Sequence, residues 1–248
     1  MAKIGIELND VVRDFIGQFE YVYNKYYEKD VEITNNSLKS FNLEKYLPFE
    51  DGKKGMYDFL YGEGAFEINA SAQILEIGLL NMINMFYLSL EKTDNEVWIV
   101  SREYYKSIPA TLFFLAKGCQ VPVIKFYKQY ENLWDDVDIL VTANPKVLNK
   151  KPNGKTGICI TTNYNQNTKC DYRYKRLSEF LQDKETHKKL FDFKQTKDIE
   201  PIYKRFEKWV LNTIDKILYY KKTIKDIEKK EEKADKTKLD KIFKKRGS

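Results

Sequence analysis

The chain has 248 residues, is 42% hydrophobic and 15% aromatic, and carries 43 lysines and arginines against 37 acidic residues. A chain of this length and composition buries a substantial core, which excludes disorder over its full length. It contains no apolar run long enough to cross a membrane and no apolar signal region in its first ten residues, so we expect an intracellular protein without a membrane partner. Three cysteines without CxxC spacing and a single histidine, His187, argue against a disulfide framework, a zinc knuckle or histidine-based catalysis.

The net charge of +6 is concentrated at the end of the chain. Residues Lys221–Ser248 contain eleven lysines and Arg246 against six acidic residues, whereas the preceding residues are neutral overall. A basic segment of this kind can contact nucleic acid or an acidic surface, and we consider Lys221–Arg246 a candidate nucleic-acid contact. The alternative is a solvated helix, because lysine and glutamate alternate there and Phe243 is its only aromatic residue.

The first element is a predicted strand over Lys3–Leu8, followed by a helix-like apolar pattern over Val11–Tyr23. The interval from residue 19 to 95 is rich in Tyr, Phe and Asn, and its apolar spacing predicts a helix over Asn69–Leu88. Inserted after the first strand, this interval is expected to cover the carboxyl ends of the sheet as a helical cap. The alternative is that its helices extend the core.

Further along the chain, short β-branched runs predict strands separated by helices. One such helix is predicted over Ser107–Gly118, with Ser107 as its cap. Strands buried on both faces and separated by helices indicate an α/β fold with a three-layer parallel sheet. The predicted strands are Val97–Ser101, Val121–Phe126, Asp138–Thr142 and Gly157–Thr162.

A helix over Leu177–Leu181 is expected to close the α/β domain, and Pro201 opens a long C-terminal helical extension. There, apolar residues recur at alternating steps of four and three, which is a heptad seam. The seam either packs on the chain's own core or mediates self-association or docking to a protein partner. We expect a core over 1–18 and 96–185, a cap over 19–95 and an extension over 186–248. The residues predicted for the interaction helix are Phe206, Trp209, Val210, Ile217 and Ile224.

Read at the carboxyl ends of its strands, the sequence resembles the haloacid dehalogenase-like phosphohydrolases, and within them the 5′(3′)-deoxyribonucleotidase branch often carried by phages. The segment Ile6–Phe15 is similar to the opening motif of that family, and Ser101 stands where the family has a phosphate-holding Ser or Thr. Asp138–Pro145 and Gly157–Asn165 are similar to the two closing motifs, and the pieces Tyr61–Phe66 and Ala70–Ala72 to a cap segment. The resemblance implies a Rossmann-like core and Mg²⁺-dependent phosphoryl transfer.

This sequence departs from the family at the positions that carry its chemistry. The resemblance places the nucleophilic aspartate at Glu7, the acid at Asn9 and the acidic pair of the fourth strand at Thr142 and Ala143. Glu7 is one methylene longer, and an amide cannot act as a general acid near neutral pH. Thr142 and Ala143 offer no carboxylate to Mg²⁺. We therefore expect no metal ligands and no catalytic residues, although Glu7 with Asp10 stays an alternative metal pair.

Basic and hydroxyl groups survive where a phosphate would bind, so Ser101, Lys125 and Lys128 are candidate anion-binding residues. The expected function is that of a catalytically inactive, haloacid dehalogenase-like structural or adaptor protein without a cofactor. The Lys-, Asn-, Ile- and Tyr-rich composition is typical of an AT-rich genome, and with the resemblance it suggests a phage particle or host cytoplasm. The alternative is an active Mg²⁺-dependent 5′(3′)-nucleotidase with a rearranged site around Glu7.

Overall fold

A parallel β-sheet forms the centre of the structure, a computed structural model that describes residues 2–33, 38–91 and 93–191. The described part of the chain contains six strands in the order β3-β2-β1-β4-β5-β6, and every neighbouring pair is parallel. The sheet confirms the α/β class and the four later strands predicted from the sequence, and it adds β6. The strands are β1 (Lys3–Glu7), β2 (Glu96–Arg102), β3 (Val123–Tyr127), β4 (Ile139–Thr142), β5 (Thr156–Ile160) and β6 (Tyr172–Tyr174).

The sheet is covered on both faces, which makes a three-layer fold. Alternate residues of β1, β2 and β4 enter a large hydrophobic cluster on one face, with Ile6, Ile99 and Val141 as examples. The opposite face carries a smaller cluster around Trp98 and Leu140. Burial on both faces explains why these strands read as continuous apolar runs.

Helices connect the strands, and those between β1 and β2 form the inserted segment predicted from the sequence. Their hydrophobic residues, such as Phe19 and Phe59, belong to the same cluster as the sheet. The helices before β2 are α1 (Phe15–Tyr27), α2 (Gly52–Asp58), a π-helical turn (Phe59–Glu63), α3 (Ala65–Ala70) and α4 (Leu79–Leu90). Those after β2 are α5 (Ser107–Leu115), α6 (Pro145–Asn149), α7 (Leu177–Gln182) and α8 (Lys184–Leu190), and 3-10 turns lie at Leu43–Lys45 and Tyr130–Trp134.

The single helix predicted over Asn69–Leu88 is wrong, because α3 ends at Ala70 and α4 begins at Leu79. The intervening backbone pairs with the turn after β1. The N–H of Asp14 donates to the Gln73 carbonyl at 2.8 Å, and that of Leu75 to the Val12 carbonyl at 3.0 Å. Gly78 then adopts a left-handed conformation with φ of 75°, which starts α4 in a new direction.

Ser107 also differs from its predicted role as a helix cap, since it is the first residue of α5 and its hydroxyl bonds to the backbone of Tyr104. The C-terminal seam and the basic Lys221–Arg246 segment lie outside the described residues, as does the extension after Phe191. The division of residues 1–185 into core and cap stays a prediction. No helix in the described ranges combines the length and apolar character of a membrane span.

Candidate functional site

The carboxyl ends of β1, β2 and β4 bring three of the predicted site residues to one edge of the sheet. Glu7 ends β1, Thr142 ends β4 and Ser101 lies near the end of β2, and all three side chains are almost completely buried. This edge is where open parallel α/β sheets place their ligands. It is therefore the candidate functional site, and its chemistry depends on what these side chains contact.

Glu7 is paired with Thr142, whose hydroxyl donates to the Glu7 carboxylate and accepts the Asn144 N–H at 2.9 Å. Burial raises the pKa of Glu7 to about 8, and the charges of Asp10 and Glu103 add to this, while the Thr142 hydrogen bond opposes it. At neutral pH Glu7 is thus mostly protonated. A protonated carboxyl lacks the charge that a nucleophile in phosphoryl transfer needs.

Arg13 is the centre of a buried hydrogen-bond network beside this pair. Its guanidinium is fully buried and uses all five N–H donors, which is the complete inventory of an arginine. Nε donates to Asn9 Oδ1 at 2.8 Å, and Nη1 to Thr111 Oγ1 and the Asn69 carbonyl, each at 3.0 Å. Nη2 donates to Asn69 Oδ1 at 2.9 Å and to Glu103 Oε1 at 2.6 Å. Asn9, to which the resemblance assigns the position of the acid, thus orients Arg13.

Glu103 links this network to β2. It is 2% exposed, pairs with Arg13 and accepts the hydroxyl of Ser101 at 2.9 Å. The opposite charges of Arg13 and Glu103 offset each other inside the protein, as a buried ion requires. The hydroxyl that the resemblance assigns to phosphate is therefore bonded to a carboxylate of the chain itself.

Asp10 adopts the left-handed backbone conformation, with φ of 57°. One carboxylate oxygen accepts the N–H groups of Phe15 and Ile16, both at 3.1 Å, and the other accepts the Tyr164 hydroxyl at 2.8 Å. Burial raises the pKa of Asp10 to about 6, against the effect of these hydrogen bonds. Asp14 caps α1, because its carboxylate accepts the Gly17 N–H at 3.0 Å.

The residues at this edge do not fit the Mg²⁺ ion that the fold family implies. Mg²⁺ demands octahedral coordination by oxygen and is commonly held by carboxylates. Here the buried Glu7 side chain accepts the Thr142 hydroxyl, and both Asp10 carboxylate oxygens accept hydrogen bonds from the protein. Ala143 contributes only a carbonyl, which accepts the Asn165 amide at 2.8 Å. Over the described ranges, no three His, Cys, Asp or Glu residues are grouped as metal ligands.

The two candidate anion-binding lysines lie in different surroundings. Lys125 is paired with Asp136 at 3.0 Å and stands over the Trp98 ring. Lys128 is exposed, and its ammonium lies 5.7 Å from the centre of the Tyr104 ring. The anion-binding role of these lysines and of Ser101 stays a prediction.

Sequence reasoning missed Arg13, Glu103 and Tyr164. One signal for Arg13 was present, namely a charged residue inside the apolar run from Val11 to Ile16. Its partner Glu103 is 90 positions away, and no periodicity connects the two. Only the fold brings them together.

Comparison with known proteins bears on the fold. No family model and no curated protein matches the sequence. Among solved structures, a haloacid dehalogenase-like hydrolase of Burkholderia xenovorans LB400 is similar with a TM-score of 0.50 at 11% identity, over 74% of this chain and 96% of that chain. A haloacid dehalogenase-like hydrolase of Bacteroides fragilis has a TM-score of 0.49 at 16% identity, over 72% and 99% of the two chains. A β-phosphoglucomutase of Clostridium difficile has a TM-score of 0.48 at 12% identity, over 77% and 99%.

The first of these similarities, together with the parallel sheet and the helices inserted after β1, shows a haloacid dehalogenase-like fold. At this level of identity the likeness concerns the fold alone. Function must be argued from the site, because one fold hosts many activities.

Proposed function

We propose that this chain is a non-catalytic protein with a haloacid dehalogenase-like fold, and that it serves as a structural or adaptor component. The observation that carries the proposal is the hydrogen bond that the buried Glu7 side chain accepts from Thr142, in surroundings that raise the pKa of Glu7. Phosphoryl transfer relies on positioned charge and a competent nucleophile. In this site the nucleophile position is neutral and the acid position, Asn9, is bonded to Arg13.

The hydrogen-bond network of Arg13 is a second observation that supports the same proposal. A substrate phosphate needs free donors, but every N–H of Arg13 already has an acceptor in the protein. Opening this network for a ligand would leave a charge buried without its partner, which costs several kcal/mol. The edge of the sheet is thus built as a stable structural unit.

A phosphatase assay tests the proposal. The full chain is incubated with p-nitrophenyl phosphate and with deoxynucleoside monophosphates in millimolar Mg²⁺, next to Glu7→Gln prepared in the same way. We expect no release of phosphate above the background, and equal background for the two proteins. Mg²⁺-dependent release that disappears in Glu7→Gln would refute the proposal and establish the alternative, an active nucleotidase that uses Glu7.

The adaptor role is proposed for the heptad seam, which lies outside the described residues. Ile217→Asp places a charge on the seam, and Asn212→Asp adds the same charge off the seam. If the seam mediates self-association, light scattering of the full chain shows an oligomer that Ile217→Asp dissociates and Asn212→Asp preserves. A monomeric parent would instead favour a separate protein partner, and association with a phage particle stays part of this proposal.

A further inference from the structure

A second concave surface lies between the inserted helices and the carboxyl ends of β2 and β3. We call it the tyrosine groove. It encloses about 620 Å³ and does not include Glu7, Asn9 or Thr142. Its lining consists of Tyr57, Asp58, Tyr61, Gly62, Arg102, Tyr104, Tyr105, Lys128 and Gln129.

Arg102 forms the floor of the tyrosine groove. Its guanidinium carbon lies 5.0 Å from the ring centre of Tyr57, 5.4 Å from that of Tyr61 and 4.7 Å from that of Tyr130. Its Nε donates to the Lys128 carbonyl at 3.0 Å. These contacts hold the positive charge in place, and a fixed guanidinium suits the planar, bidentate recognition of a phosphate.

Three lysines repeat this pairing of a cation with a tyrosine ring of the groove, although only Lys128 belongs to the lining itself. Lys53 lies 5.7 Å from the Tyr57 ring centre, and Lys128 lies 5.7 Å from that of Tyr104. Lys106 lies 5.9 Å from the ring of its neighbour, Tyr105. Within the part of the chain that the structure describes, neither Arg102 nor these lysines form an ion pair. Asp58 is the one acidic residue of the lining, so the surface has an excess of positive charge.

Two tyrosines of the groove have solvent-exposed side chains. Tyr104 is 51% exposed and Tyr105 is 66% exposed. Tyr105 has a φ of 54°, a conformation that is costly for a bulky residue and that tends to be kept at functional sites. The turn is fixed by Ser107, whose hydroxyl accepts the Tyr104 N–H at 2.9 Å and donates to the Tyr104 carbonyl at 2.8 Å. The exposure of these rings is therefore built into the turn.

We propose that the tyrosine groove binds single-stranded nucleic acid. Bases stack on the exposed rings of Tyr104 and Tyr105, while Arg102 and Lys128 contact the phosphates. Aromatic rings that alternate with cations are the features that bind a single strand without reading its sequence. Four cations that lie over tyrosine rings, without an ion pair among the described residues, suit a polyanion better than one phosphate. This inference does not depend on the proposed loss of catalysis.

The test is fluorescence anisotropy of a labelled oligothymidylate of about 12 nucleotides with the full chain, at several salt concentrations. Two variants address the groove without altering buried groups. Tyr105→Asn removes a ring and keeps a residue that tolerates positive φ, and Lys128→Gln removes an exposed charge. Tyr21→Asn, at a tyrosine that is 62% exposed on α1, is the control for Tyr105.

We expect Tyr105→Asn to weaken binding by about 5- to 100-fold, the effect of losing one stacked base, and Tyr21→Asn to leave it unchanged. Lys128→Gln should reduce the slope of log affinity against log salt by about 0.7. Absence of binding at low salt would overturn the proposal. So would binding that both groove variants leave intact, which would place the contact elsewhere, for example on Lys221–Arg246. Thymidine monophosphate is added as a competitor. If it displaces the label as well as unlabelled oligonucleotide does at the same nucleotide concentration, the groove is a site for free nucleotides, and the proposal is also contradicted.

Discussion

Replacing Glu7 by glutamine isolates the energetic effect of the buried carboxyl. In the unfolded chain Glu7 loses its proton near its ordinary pKa of 4.5, whereas burial keeps it protonated in the folded chain up to a pKa of about 8. The unfolded state binds fewer protons in this interval, so the parent loses stability as pH rises through it. Between pH 6 and pH 8 this loss is about 2 kcal/mol, at about 1.4 kcal/mol per pH unit.

Glutamine keeps the size of the side chain and can accept the Thr142 hydroxyl, but it does not titrate. The difference in the free energy of unfolding between Glu7→Gln and the parent should therefore shift by about 2 kcal/mol in favour of the variant from pH 6 to pH 8. Asp10 and His187 titrate in both proteins, so their effects largely cancel in this difference.

The measurement is urea unfolding at a series of pH values, followed by tryptophan fluorescence, since Trp98 and Trp134 are buried in the described core. Glu63→Gln, at an exposed position, is the matched control and should follow the parent at every pH. A difference between Glu7→Gln and the parent that stays constant with pH would mean that Glu7 is ionised in the folded protein. That result would contradict the proposal that this site is non-catalytic.

Three further changes test the described network and turns. Arg13→Met leaves Glu103 buried without its partner, so we expect the free energy of unfolding, measured in urea, to fall by about 3–5 kcal/mol. The fall should be smaller in the double variant with Glu103→Met, because no unpaired charge is then buried. Tyr164→Phe removes the hydroxyl that donates to Asp10, so the free energy of unfolding should fall by about 1–3 kcal/mol. The pKa of Asp10, followed by carboxyl-carbon NMR, should rise, because this hydrogen bond lowers it. Gly78→Ala should lower the free energy of unfolding by about 1 kcal/mol in thermal unfolding, because a φ of 75° is strained for alanine. No atom lies within 4 Å of the added carbon, so a steric clash does not contribute.

Each of these three substitutions has a control, which is a matched substitution at another position of the chain. Lys54→Met removes a cation from an exposed position, and Tyr21→Phe removes a hydroxyl from an exposed ring. Gly62→Ala adds a methyl group in equally open space without a positive φ. Lys54→Met and Tyr21→Phe should change the free energy of unfolding by no more than about 0.5 kcal/mol. Gly62→Ala should raise it by about 0.4–1 kcal/mol, because alanine reduces the freedom of the unfolded chain and fits the backbone of this turn. A loss of stability in Gly62→Ala would show that the added methyl group, and not the left-handed backbone, is what Gly78→Ala measures.

The sheet was largely predictable because its strands are buried on both faces. Val97–Ser101 and Asp138–Thr142 are apolar, β-branched runs, and each lies within one or two residues of an observed strand. β6 was missed, since it has three residues, of which Arg173 is exposed, and forms the edge of the sheet. A strand so short carries no periodic pattern that can be recognised.

The helix predicted over Asn69–Leu88 failed for a different reason. Its apolar spacing is real, but the backbone near Ile74 pairs with the turn at Arg13, a contact between segments about 60 positions apart. A tertiary contact of this kind overrides a local preference of a few tenths of a kcal/mol per residue. The same limit applies to the tyrosine groove, whose residues come from separate segments before and after β2.

The amino-acid sequence by itself determined the order of strands and helices and the absence of a carboxylate from the side chains of Asn9, Thr142 and Ala143, because these depend on local pattern and residue type. The tertiary structure alone decided that Glu7 is buried against Thr142 and that Arg13 reaches Glu103. Burial sets the pKa of Glu7, and the contact with Glu103, 90 positions away, offsets the charge of Arg13. Both effects arise from the surroundings of a side chain, which exist only after the chain has folded.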